Sequence, residues 1–115
     1  MAELSVVEEN EQFQHIALTG RLDAEGVRDV SRNFQGQIDG NPKPTLVDLS
    51  RLEFLASAGM AMLLTGAKTL RQSGAKMVLF KPQSLIAQIL TYAGLNDVIP
   101  VAHEKEQALQ LLLGK

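Results

Sequence analysis

The sequence predicts an α/β domain: a mixed β-sheet, antiparallel at its start and joined by parallel βαβ crossovers afterwards, packed with about four helices. Three observations carry this. Two strand-length runs near the N-terminus are separated only by a short polar turn, which fits an antiparallel hairpin. Beyond them, short aliphatic runs alternate with stretches of helical periodicity, the order expected of parallel strands joined by right-handed crossovers. The 115 residues, 45% hydrophobic, suffice for one core. With no linker, repeat or low-complexity segment, 1–115 reads as one domain.

The elements follow in order. "LSVVEE" (4–9) and "FQHIAL" (13–18) form the hairpin around the polar "NEQ" turn. "TGRLDAEG" breaks the second strand, and a helix starts near Ala24 with Val27, Val30, Phe34 and Ile38 on one apolar face. "DGNPKP" (39–44) stops it with Gly and Pro. "TLVDL" (45–49) is a buried strand. After "SRLEFLA" comes a second helix, roughly Ser57 to Gln72, with Met60, Leu63, Leu64, Ala67 and Leu70 turned inward. Gly74 closes that helix as a C′ glycine. "KMVLF" (76–80) is another strand. Pro82 and Ser84 open a third helix whose Leu85, Ile86, Ile89 and Leu90 face the core and which Gly94 stops. "DVIPV" (97–101) reads as a short last strand and "HEKEQALQLLL" (103–113) as a terminal helix.

Charge is nearly balanced, with 11 Lys+Arg against 13 Asp+Glu and a formal net charge of −2. No basic run or aromatic–basic interleaving provides a footprint for nucleic acid. No stretch reaches the roughly 18 apolar residues of a membrane span, so an integral membrane protein is not expected. The acidic "MAELSVVEENEQ" lacks the layout of a signal peptide. A cytoplasmic protein is the expectation. Zero cysteines exclude disulfides and thiolate metal sites. The two histidines, His15 and His103, lack a second ligand at helical spacing and read as surface or half-buried imidazoles rather than metal ligands. No cofactor or metal is implied.

Catalytic patterns are incomplete. A nucleophile elbow requires Gly-x-Ser-x-Gly, whereas Ser57 lies in Leu55-Ala56-Ser57-Ala58-Gly59. A triad would have to recruit His15 or His103 with Asp23 or Asp48. "GAKT" (66–69) departs from the phosphate-loop spacing and falls inside a helical pattern. Glu8–Glu9 and Glu104 with Glu106 read as solvated faces. No residue set supplies base, nucleophile and oxyanion donor together, so an enzyme is not expected. Ser57 is left with two readings. It is an N-cap whose hydroxyl accepts a first-turn N–H, or a phosphate acceptor at a helix N-terminus that welcomes negative charge.

"LVDLSRLEFLASAGMAMLL" resembles the central segment of STAS domains, the anti-sigma factor antagonists, in which an Asp-Ser-Ser/Ala-Gly sequence opens the second helix. "GRLDA" (20–24) is similar to the family's Gly-x-Leu/Ile-Asp motif. "LIAQILTYAGLNDVIPV" resembles its third helix, Gly-Leu turn and last strand, and "EKEQAL" the start of its final helix. The resemblance implies a bacterial regulator of transcription that works by partner switching. It would bind an anti-sigma factor with a serine kinase fold and so free a sigma factor, be turned off by phosphorylation, and be restored by a phosphatase. Carried over, the acceptor is Ser57, Asp23 lies nearby, and Gly59 is a close-approach glycine. The partner face is then Asp23 with Ala56, Ser57, Ala58, Gly59 and Met60. Ala56 stands where the family has an aspartate, and Ala58 replaces its second serine. That departure keeps a second reading open: an adaptor or scaffold without the phosphate switch, in a stress-sensing complex or on an ATP-driven lipid transporter.

Overall fold

The computed structural model describes residues 1–40 and 42–114. Its strands are β1 (Ala2–Glu9), β2 (Gln14–Leu22), β3 (Thr45–Asp48), β4 (Leu52–Leu55), β5 (Met77–Phe80) and β6 (Val101–Ala102). The helices are α1 (Ala24–Asp39), α2 (Ser57–Gln72), α3 (Ser84–Tyr92) and α4 (Lys105–Leu113), with a 3₁₀ turn at Leu95–Asp97. Asn41, within the break expected at 39–44, lies outside the described residues.

The strand order is β1-β2-β3-β5-β6, with β4 also paired to β2. Only β1 runs antiparallel, to β2; every other pairing is parallel. The hairpin and the crossovers are therefore as the sequence predicts. Alternation along the strands divides the residues between two faces. Ile16, Leu18, Val47 and Leu79 join Val30, Phe34 and Ile38 of α1, Leu63 and Leu70 of α2, and Ile86 and Leu90 of α3 in the larger core. Phe13, Leu46, Val78 and Phe80 point the other way, against Ala108 and Leu112 of α4.

Several expectations need correction. "LEFL" is a strand of its own. A bend begins where the Asp48 carboxylate accepts the Ser50 N–H at 2.8 Å, and the chain then returns to the same neighbour. As a result β3 lies beside Gln14–Ala17 of β2, and β4 beside Gly20–Leu22. "TGRLDAEG" does not break the strand, because β2 continues to Leu22 through a bulge at Gly20/Arg21. Met60, Leu64 and Ile89 are only half-buried, and Leu85 faces solvent at 52% exposure. The last strand is Val101–Ala102 rather than 97–101. Gly94, at φ +74°, turns the chain into i→i+3 bonds that carry Leu95–Asp97. The terminal helix starts at Lys105, two residues later than read. His15 is neither surface nor half-buried, being 5% exposed. Gly74 does close α2, at φ +78°, where a Cβ would be strained.

Candidate functional site

The ends of β2 and β4 build one surface. Their parallel register sets Arg21 beside Phe54 and Leu22 beside Leu55, and the Ala56 N–H donates to Leu22 O at 2.9 Å. The loop carrying Asp23 is thus held against the start of α2. Asp23 is the N-cap of α1, its Oδ1 accepting the Gly26 N–H at 2.9 Å. That bond, with Arg21 Nε 3.6 Å from Oδ2, holds the carboxyl below its ordinary value. The cap's contribution is therefore present above pH 3.8 and is lost as pH falls through the lowered value. Arg21 also lies over the Phe54 ring, 4.5 Å from its centroid.

The second helix spans Ser57–Gln72, as read from the sequence, but of the two readings of Ser57 the N-cap one fails. Its N-cap is Ala56, which has no side-chain acceptor, and Ser57 is already the first helical residue. Ser57 is exposed, and its hydroxyl makes no hydrogen bond among the described residues. The capping role fails because an N-cap hydroxyl must sit one position before the helix to reach the N2 or N3 N–H. Ser57→Ala is therefore expected to change stability by no more than about 0.5 kcal/mol, as for an uncommitted surface position. Urea unfolding of the two proteins checks this; a loss near the roughly 1 kcal/mol typical of a cap would contradict it.

Behind Ser57, the helix needs a residue without a side chain. A Cβ on Gly59 would lie 2.7 Å from Leu55 Cδ1 and 2.9 Å from both Cβ and the carbonyl oxygen of Leu22. That carbonyl cannot yield easily, because it accepts the Ala56 N–H. Gly59→Ala should destabilise by about 1–3 kcal/mol through overpacking. A thermal midpoint equal to wild type would show that α2 lifts away freely.

Of the predicted partner face, Ser57 is exposed, Asp23, Ala56, Ala58 and Met60 are half-buried, and Gly59 is buried. Met60 lines a shallow apolar groove with Leu85, Gln88, Ile89, Tyr92 and Ala93 of α3. Tyr92 is 98% exposed, and no residue from Ser84 to Ala93 is charged. Sequence reasoning passed over Arg21, Phe54 and Tyr92. The first two stand in the quoted "GRLDA" and "LEFLA" stretches, but only the β2–β4 register pairs them.

The triad candidates are separated. His15 Nε2 lies 3.7 Å from Asp48 Oδ2, but both project on the α4 side of the sheet, whereas α2 packs on the other. Asp23 is committed to its cap and its contact with Arg21. Among the described residues no group of three or more His, Cys, Asp or Glu side chains could hold a metal, and no helix is long and apolar enough to cross a membrane.

The mixed α/β sheet thus presents, at the first position of α2, an exposed serine beside the Asp23 loop. The chain belongs to the STAS family: the family model described as "Mlab, STAS domain" matches residues 5–101. It is 28% identical to BtrV of Bordetella bronchiseptica, named as a candidate anti-sigma factor antagonist, over 79% of this chain and 78% of that protein. The fold is that of an anti-sigma factor antagonist from Mycobacterium paratuberculosis, with a TM-score of 0.83 at 18% identity, covering 97% of this chain and 94% of that one. It is also that of SpoIIAA, an anti-sigma factor antagonist of Bacillus, at 19% identity. The TM-score is 0.77 to its unphosphorylated form (95% and 96% covered) and 0.69 to its phosphorylated form (95% and 99%).

Proposed function

We propose that this chain, 1–115 acting as one STAS domain, is an anti-sigma factor antagonist switched by phosphorylation of Ser57. Its partner is an anti-sigma factor of serine kinase fold, whose capture frees a sigma factor in the cytoplasm; a phosphatase resets the serine. The observation that carries the reading is the exposed, uncommitted Ser57 hydroxyl at the first residue of α2, beside the Asp23 loop. The names of its relatives support an antagonist role. The same fold holds SpoIIAA in both phosphorylated and unphosphorylated forms, which supports a switch that leaves the scaffold standing.

The chemistry is simple. The first-turn N–H groups of α2 lack a side-chain cap and favour an anion. A phosphoryl group there adds a charge of about −1.5 to −2 at neutral pH. The surrounding Ala56, Ala58 and Met60 are apolar, so a partner seated on them would have to desolvate that charge.

Ala56 and Ala58 favour the second reading, a STAS adaptor or scaffold with no phosphate switch. Incubation with the kinase-fold partner and ATP, followed by mass mapping, separates the two. Phosphate on Ser57 supports the switch; none on Ser57, with partner binding retained, supports the adaptor. Ala56→Asp restores the acid and supplies the missing cap. It should raise the phosphorylation rate and add about 0.5–2 kcal/mol of stability. An unchanged rate would detach the acid from kinase recognition.

A further inference from the structure

The face of the sheet beneath α4 holds a titratable side chain that the Ser57 switch does not use. His15 of β2 is 5% exposed, and neither ring nitrogen has a hydrogen-bond partner among the described residues. Such a group costs free energy to bury. Nε2 is 3.7 Å from Asp48 Oδ2 of β3, beyond hydrogen-bond reach. Asp48 is anchored by its other oxygen, which accepts the Ser50 N–H. Phe80 of β5 meets the ring edge-on, with centroids 5.9 Å apart and an interplanar angle of 83°. Glu8 of β1 is the register partner of His15. Its carboxylate pairs at 3.8 Å with Lys105, the first residue of α4. A neutral imidazole is thus enclosed by two carboxylates and one ammonium, and the ammonium belongs to the helix that covers it.

We propose that His15 is an acid-sensitive latch for α4: protonation of the ring draws Glu8 and Asp48 towards it, opposes Lys105, and loosens α4 from the sheet. The helix is short, and it rests on the sheet chiefly through Ala108 and Leu112, with Leu109, Leu111 and Leu113 partly covered. Its first turn is tied down by the Lys105–Glu8 pair, for which a charged His15 competes. Opening would uncover Phe13, Leu46, Val78 and Phe80, an apolar surface distinct from the Ser57 face.

The direction of the effect is fixed by linkage. Burial first, and Lys105 second, hold the ring's pKa below its ordinary 6.5, against the upward pull of Asp48 and Glu8. The closed state therefore binds the proton less readily than a state in which the ring meets water. Closure is at full strength above pH 6.5 and weakens as pH falls from 6.5 through the lowered value. Opening can gain up to about tenfold at about pH 5.5, the limit for a ring that titrates at 6.5 once open and stays neutral when closed.

Amide hydrogen exchange read by mass spectrometry at about pH 7.5 and pH 5.5, corrected for intrinsic exchange rates, tests this. Protection over 105–113 should fall at the lower pH by up to about tenfold, while β2 and β3 keep theirs. His15→Leu should abolish the pH dependence. Lys105→Gln, at an exposed side chain that threatens no core, should shrink it even if His15→Leu does not fold. The proposal is overturned by no loss of protection in α4, by an equal loss across β2 and β3, or by an unchanged pH dependence in either folded variant.

Discussion

Ser57→Asp is expected to weaken binding of the anti-sigma partner by roughly a hundredfold or more, about 3 kcal/mol, while the domain stays folded. The two effects separate because they act on different states. In the free protein, a carboxylate at the first position of α2 faces water and the positive end of the helix dipole, a placement worth about 0.3–1 kcal/mol of stabilisation. In the proposed complex, the same charge would be pressed against a partner beside Ala56, Ala58 and Met60, none of which can pair with it. The nearby cation, Arg21, is already held by Asp23 at 3.6 Å and by the Phe54 face at 4.5 Å. Titration calorimetry with the purified partner, alongside a thermal melt, reads both. Loss of affinity accompanied by a lower midpoint would point to a folding defect and not to the interface.

Phe34→Ala is expected to remove about 3–5 kcal/mol of stability, a large part of the roughly 5–15 kcal/mol of a typical domain. Phe34 is 1% exposed and fixes the contact between α1 and α2. The fit depends on Gly66, where a Cβ would lie 2.7 Å from Phe34 Cε2. With the ring gone, neither helix has a side chain at that point to fill the space. A urea midpoint should fall sharply with an unchanged slope. A loss below about 1 kcal/mol would mean that the helices close up over the gap.

Helices with one apolar stripe were the most legible part of the fold. Val27, Val30, Phe34 and Ile38 recur at three- and four-residue steps; α1 buries the last three, together with Gly26, and half-buries Val27. α3 shows where periodicity fails: Leu85, Ile86, Ile89, Leu90 and Tyr92 surround that helix, so the pattern cannot say which side meets the core. The structure turns Leu85 and Tyr92 outward. β4 was hidden for another reason. Four residues show no period, and only the length of β2 reveals that it can hold β3 and β4 in succession. The "TGRLDAEG" stretch reads as a break, yet Gly20, at φ +89°, serves a bulge within the strand.

At the site, Ser57 and Asp23 were visible because both sit in motifs quoted from the sequence. Which of the two caps a helix was not. Asp23 turns out to cap a helix and Ser57 does not, a difference of one residue at a helix boundary that propensity does not resolve. The pairing of Arg21 with Phe54 depends on inter-strand register, which no local pattern encodes.

The central claim is that one hydroxyl, Ser57, decides whether the partner binds. The most direct measurement is calorimetric titration of the purified anti-sigma partner with wild type, with wild type stoichiometrically phosphorylated and mapped to Ser57, and with Ser57→Ala after the same treatment. The account predicts equal, tight binding for untreated wild type and treated Ser57→Ala, and roughly a hundredfold weaker binding for the phosphorylated protein. Equal affinity for all three would contradict it.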